Sequence, residues 1–316
     1  MNSTNCNRCA SVILVSRVTH FLLTRVPVLL MLLAATLSSQ AVGQTLTTLY
    51  NFGAVRGDGE APTGGVIVDK NGNLFGTTGV GGVQASNGTV YELSPPAVLG
   101  DPWVEIILHR FQGNPDGKNP ESRLHMTAKG ALVATARFGG TNDQGAAYTL
   151  TPPTGQGSWK EKILYNYGSL PNDVVAPNQG LFQAPEGYYG ADNGGAQLLG
   201  AFYLLTPATG GGTWTQNILY SFKSAPDATS PDGDLIRDSK GNFYGVGAQG
   251  GANNLGAVFE LSPPSVQGGS WTENVLFSFN GTDGTLPAGP LLLGAGGVLY
   301  GTTNGGGSSG AGRYFS

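Results

Sequence analysis

Five near-copies of one block fill most of this chain. Its four tryptophans, Trp103, Trp159, Trp214 and Trp271, stand 56, 55 and 57 residues apart. A glycine pair recurs in step at Gly81-Gly82, Gly139-Gly140, Gly194-Gly195, Gly250-Gly251 and Gly305-Gly306. A fixed period of this size means that each unit is one supersecondary block, which buries its apolar face against its neighbours.

Within a unit the patterning is that of strands. Trp271-Thr272-Glu273-Asn274-Val275-Leu276-Phe277-Ser278-Phe279 alternates polar and apolar residues, which suits a half-buried strand. The same pattern runs over Trp103–Phe111, Trp159–Tyr167 and Trp214–Phe222, and over Gln44–Phe52 with Gln44 in the tryptophan slot. Short apolar runs follow at Val66–Val68, Leu124–Met126, Leu181-Phe182, Leu235-Ile236 and Leu291–Leu293. Turns such as Lys70-Asn71-Gly72-Asn73 and Ser239-Lys240-Gly241-Asn242 then lead into a third strand, as at Leu74–Thr78 and Phe243–Gly245. The glycine inside that strand predicts a close approach near a crowded central axis. A fourth strand, Gly88–Leu93 or Gly256–Leu261, ends at proline. Four antiparallel strands per unit, in five units (44–98, 103–154, 159–209, 214–266 and 271–316), predict an all-β, five-bladed β-propeller. The alternative is an open β-repeat array, which would leave edges free to pair with other chains.

The first 43 residues read as a signal peptide. Arg8, Arg17 and Arg25 precede the apolar run Val26–Leu37, and the small residues Ser39-Gln40-Ala41 or Ala41-Val42-Gly43 suit a signal peptidase. The run is shorter than the roughly 20 residues a spanning helix needs, although an uncleaved anchor is the rival reading. The only cysteines, Cys6 and Cys9, lie in this leader, so the mature chain is expected to hold no disulfide and no cysteine-based metal site. Cleavage leaves 13 basic against 20 acidic residues, and an acidic chain lacks the electrostatic footprint of a nucleic-acid binder. The expected location is therefore extracytoplasmic (secreted, periplasmic or at the cell surface), with no membrane contact after cleavage.

The string apolar-Tyr/Phe-Gly-Thr-Thr, then Gly-Gly, then Gly-x-Val-Tyr/Phe-x-Leu-x-Pro resembles the GloVer-type tandem repeats of exported bacterial proteins. Leu74–Pro96 and Phe243–Pro264 match best, and Leu299–Phe315 matches until the chain stops. The resemblance implies an extracytoplasmic, propeller-like repeat protein and brings no catalytic residues with it.

One aspartate per unit is the most suggestive constellation. Asp58, Asp116, Asp173, Asp227 and Asp283 are each followed four residues later by proline, at Pro62, Pro120, Pro177, Pro231 and Pro287. In a closed ring these carboxylates could form a circle that binds a cation or sugar hydroxyls. Equally, aspartate bonds backbone amides in turns, so a repeated turn would require a repeated aspartate. Asp69-Lys70-Asn71-Gly72-Asn73 begins like a calcium loop but lacks its later glutamate, and a hairpin turn explains it. Gly306-Gly307-Ser308-Ser309-Gly310 fits a nucleophile-elbow pattern but sits between two predicted strands. His109 and His125 lie within strands, and Asp232-Gly233-Asp234 reads as a solvated local addition.

No cofactor and no metal centre are expected. The near-equivalence of the units favours a non-catalytic protein that binds a glycan or a surface protein, because acid and base catalysts need unlike environments. A glycoside hydrolase is the first alternative, with Glu105, Glu161 and Glu273 sharing one repeat position where the 214–266 unit has Gln216. A structural role in the envelope is the second.

Overall fold

The computed structural model describes residues 46–316 except 83–85, 99, 209, 211 and 212. The leader, Cys6, Cys9 and the start of the Gln44–Phe52 segment lie outside the described residues. The fold is all-β. Its sole helical turn among the described residues is a 3-10 turn at Ala295–Gly297.

Five antiparallel sheets form the blades of a five-bladed propeller. Blade I joins Gly59–Val68, Leu74–Gly81, Thr89–Ser94 and Val104–Arg110 in that order. Blade II joins His125–Met126, Leu132–Ala136, Ala146–Thr151 and Lys160–Asn166. Blade III joins Phe182–Ala184, Gly187–Asp192, Ala201–Thr206 and Thr215–Ser221. In blade IV both Ala228–Pro231 and Ile236–Arg237 pair with Phe243–Gly250, which continues to Ala257–Ser262 and Thr272–Ser278. Blade V has three strands, Thr285–Leu293, Leu299–Gly305 and Arg313–Phe315.

The tryptophan-led strand is therefore the last strand of a sheet, not its first. Val104–Arg110 pairs with Thr89–Ser94, which belongs to the preceding sequence unit. The N-terminus departs from expectation. Residues 46–52 carry the strand pattern but form no strand, and blade V, whose third strand is Arg313–Phe315, has no fourth. Phe52 still packs against Tyr91 at 4.8 Å, as Phe111 packs against Tyr148 at 5.0 Å.

The apolar faces meet between blades. Phe75, Val90, Phe111, Leu132 and Tyr148 form the core between blades I and II. Tyr167, Tyr188, Tyr203 and Leu205 do so between II and III, and Phe202, Phe222, Phe243 and Phe259 between III and IV. Val246, Val258, Phe279 and Leu291 form a smaller core between IV and V.

The strand glycine does not approach a crowded axis, contrary to expectation. Gly76, Gly190, Gly245 and Gly301 each lie opposite an aromatic residue, Tyr91, Tyr203, Phe259 and Phe315, whose ring covers the glycine. Blade II tolerates Ala134 opposite Tyr148, so the position demands a small residue rather than glycine alone.

The Asp-x-x-x-Pro motif is a latch between blades. The residue before each proline adopts positive φ: Asn119 at 52°, Ala176 at 48°, Ser230 at 51° and Leu286 at 51°. Its amide donates to the preceding unit, to the carbonyls of Asn87, Gln144, Leu199 and Leu255 at 2.7–3.0 Å. The proline itself stacks on a positive-φ glycine of that unit, as Pro231 does on Gly200 (φ 114°). A methyl at Gly200 would meet both the wrong backbone region and the proline ring. Gly200→Ala is expected to cost about 2–4 kcal/mol in chemical denaturation, from backbone strain plus overpacking.

Candidate ligand site at the channel mouth

The innermost segments of the five blades share one register. Each has an apolar residue (Val66, Leu124, Leu181, Leu235 or Leu291) preceded by a three-residue stretch that differs from blade to blade. Blade I has Thr63-Gly64-Gly65, blade II Glu121-Ser122-Arg123 and blade III Asn178-Gln179-Gly180. Blade IV has Asp232-Gly233-Asp234 and blade V Ala288-Gly289-Pro290.

All five blades line the central channel, which divides into two regions. One is apolar, about 620 Å³, walled by residues such as Ile67, Leu124, Met126, Phe182, Ile236 and Leu292. The other is a polar mouth of about 520 Å³, where Glu121, Arg123, Asn178, Gln179, Asp232 and Asp234 converge. Arg123 and Asp234 line both regions.

The mouth is held by hydrogen bonds that cross from blade to blade. Thr77 Oγ1 donates to the Ser122 carbonyl at 3.2 Å, and Thr135 Oγ1 to the Gln179 carbonyl at 3.1 Å. Gln179 spans the next gap, with Nε2 donating to Asp232 Oδ1 at 3.3 Å and Oε1 accepting from the Gly233 amide at 2.8 Å. Asp234 Oδ1 accepts from the Gly180 amide at 2.7 Å. Beneath the mouth, Asp192 is fully buried and accepts from the amides of Asn178 and Gln179 at 2.9 and 3.0 Å. Its other oxygen accepts from Tyr203 Oη at 3.0 Å, which in turn meets Tyr167 Oη at 2.9 Å. Burial pushes the Asp192 carboxyl up to about 7, against the pull of those amides. Burial also raises the carboxyls of Asp232 and Asp234, while the Arg123 charge draws that of Asp234 back down.

Arg123 is exposed and forms no ion pair within 4.0 Å among the described residues; Glu121 instead accepts from Arg137 Nη1 at 3.1 Å. The mouth thus places one guanidinium that forms no ion pair among the described residues beside two carboxyls that line the same opening. Such a mixture of donor and acceptors is suited to a ligand carrying several hydroxyls.

The five repeated aspartates lie elsewhere, one in each latch. Each caps its own loop: Asp58 accepts from the Ala54 amide, Asp116 from Gln112, Asp173 from Ser169, Asp227 from Lys223 and Asp283 from Asn280, at 2.7–3.2 Å. Three also hold a tyrosine hydroxyl, from Tyr50, Tyr165 and Tyr220, while Asp116 holds His109 at 3.1 Å. Among the described residues no three His, Cys, Asp or Glu side chains are grouped to hold a metal ion. His125 bonds Gln183 Oε1 at 2.6 Å beside the apolar region of the channel. Asp69 and Asp238 close hairpin turns by accepting from amides two and four residues ahead.

Asp232 and Asp234, expected to be solvated, stand instead at the channel mouth, partly withdrawn from water. Asp192 and Arg123 belong to no recurring motif. The signal that finds them is departure from the repeat: Asp192 replaces the Thr78, Ala136, Gly247 and Thr303 of its sister units.

The repeat model described as the Gloeobacter/Verrucomicrobia repeat matches residues 36–197 and 188–316. The chain belongs to this repeat family. Two solved structures are similar in outline. A Thermus thermophilus protein described as a "putative oxidoreductase (glucose dehydrogenase)" is 15% identical, with a TM-score of 0.46 over 81% of this chain and 84% of its own. A protein of unknown function from Dyadobacter fermentans is 14% identical, with a TM-score of 0.45 over 77% and 74%. No curated protein matches the chain. No helix among the described residues of this repeat protein is long and apolar enough to cross a membrane.

Proposed function

We propose that this repeat protein is exported and non-catalytic, and that it binds a glycan at the polar mouth of its channel. The observation that carries the reading is where the repeat breaks down. The blade scaffold repeats closely, while the inner three-residue stretches diverge into Arg123, Gln179, Asp232 and Asp234. Divergent side chains converging on one opening serve an asymmetric ligand better than they serve a symmetric scaffold. A sugar ring would place hydroxyls on the Asp232 and Asp234 carboxylates as donors and on the Arg123 guanidinium as an acceptor.

Calorimetric titration with neutral mono- and oligosaccharides tests this. Arg123→Ala is expected to weaken binding about tenfold or more, the worth of a charge-assisted hydrogen bond. Its melting temperature should stay near that of the wild type, because Arg123 is exposed and forms no ion pair among the described residues. Heat release that is unchanged in Arg123→Ala would move the site away from the mouth.

The raised carboxyls of Asp232 and Asp234 favour a second reading, glycoside hydrolysis. Release of reducing sugar by the wild type, lost in Asp234→Asn, would establish it. No response from any sugar would leave a protein ligand or an envelope-building role. Export rests on the leader, and N-terminal sequencing of protein recovered outside the cytoplasm should begin near Gln44.

A further inference from the structure

The glutamates of the tryptophan-led strands face the latch aspartates across blade interfaces. Tyr50 Oη lies 3.2 Å from Asp58 Oδ2 and 3.3 Å from Glu105 Oε2, so one phenol touches both carboxyls. A phenol has a single proton and can donate to only one of them. The remaining oxygens, Asp58 Oδ1 and Glu105 Oε1, are buried without a partner. Asp58 itself is only 4% exposed. Two facing carboxylates cannot satisfy each other; a carboxylic acid and a carboxylate can.

Related pairs recur with different partners: Asp116, held by His109 at 3.1 Å, neighbours Glu161, whose Oε1 is again a buried orphan, and Asp227, held by Tyr220, neighbours Glu273, whose Oε1 accepts from the Ala228 amide at 3.0 Å. The third interface supplies the chemical control. There the glutamate is Gln216, whose Nε2 is buried and unpartnered, as is Asp173 Oδ1. An amide is the permanent isostere of a protonated carboxyl, with N–H in place of O–H.

We infer that the Asp58–Glu105, Asp116–Glu161 and Asp227–Glu273 pairs each share one proton, making the blade interfaces a pH-sensitive clasp that is tight in acid and loosens as the proton leaves to solvent. Burial first, and then the neighbouring aspartate, pushes each of Glu105, Glu161 and Glu273 up to about 7. The other charged and titratable groups facing them are Tyr50, Tyr91 and Arg110 at Glu105, His109 and Tyr148 at Glu161, and Lys223 and Tyr220 at Glu273. The Arg110 and Lys223 charges oppose the shift at Glu105 and Glu273 without cancelling it. An unfolded glutamate titrates near ~4.3, so between that pH and about 7 the folded state binds more protons. Stability contributed by the clasp is therefore complete in acid and lost as pH rises through 7.

The test is the melting temperature of the full chain between pH 5 and pH 8, with chelator present. The wild type should melt ~5 °C or more lower at pH 8 than at pH 5. The triple variant Glu105→Gln, Glu161→Gln, Glu273→Gln should lose more than half of that slope and melt above the wild type at pH 8, retaining only what other buried acids such as Asp192 contribute. Gln216→Glu, which creates a fourth pair, should steepen the slope, and it keeps the proposal testable if the triple variant fails to fold. Infrared spectra should show a protonated-carboxyl band at pH 5 that fades by pH 8 in the wild type and is diminished in the triple variant. A wild-type melting temperature that is flat or rises with pH would overturn the clasp. So would a triple variant with an unaltered slope, or a calcium-dependent rise at pH 8 that the triple variant loses, which would put a cation between the carboxyls instead.

Discussion

Asp192→Ala should be the most damaging single change near the channel, lowering unfolding free energy by about 3–5 kcal/mol in denaturant titrations. The carboxylate is the acceptor for two backbone amides and the Tyr203 phenol, all inside blade III. Truncation strands three donors in a place water reaches poorly. It also frees the Asn178-Gln179 backbone, so sugar affinity at the mouth should fall with stability. Asp192→Asn separates the two effects. Its amide oxygen can still accept from Asn178 and Gln179, and the phenols can reverse direction towards Tyr167, so the cost should shrink to about 1–2 kcal/mol. The pH response carries its own signature. Burial raises the Asp192 carboxyl to about 7, so its contribution to stability falls as pH rises from about 4 towards 7, and the asparagine variant should lack that component.

Phe243→Ala should cost a similar amount, about 3–5 kcal/mol, through the cavity it leaves. The ring is fully buried and meets Tyr189 at 4.6 Å, Phe202 at 5.2 Å, Phe182 at 5.3 Å and Trp271 at 6.0 Å, with Arg237 over its face at 5.1 Å. Those neighbours come from blades III and IV, so the loss should loosen one interface rather than one sheet. Phe277→Ala is the comparison. That ring is 45% exposed and should cost less than about 1.5 kcal/mol. Equal losses at the two positions would mean that the cores between blades are not where the stability resides.

The repeat made the blade count readable because each strand pattern recurs at a fixed interval, and the Asn-Gly and Lys-Gly turns marked the hairpins. Periodicity has no phase, however. Nothing in Trp103–Phe111 says whether it opens one sheet or completes another; the pairing of Ser94 with Val104 decides it. The candidate site was hidden for a related reason. The residues that recur cap turns: Asp116 and Asp173 recur because every latch needs an acceptor. The channel residues carry information by failing to recur. Their convergence depends on a ring bringing Arg123 and Asp234, more than a hundred positions apart, to one opening, which no local pattern encodes. The facing of Glu105 and Asp58 was invisible on the same grounds, although the shared glutamate position itself was plain.

The displaced phase of the sheets makes the molecule resemble staggered brickwork. Every join between sequence units is spanned by a sheet that takes strands from both sides. A protease cut at a unit boundary, such as the stretch between Ser94 and Val104, should therefore leave the two fragments zipped together by six residue pairs rather than free to part. The same overlap means that one whole unit could be removed or inserted with the courses on either side still meeting edge to matching edge.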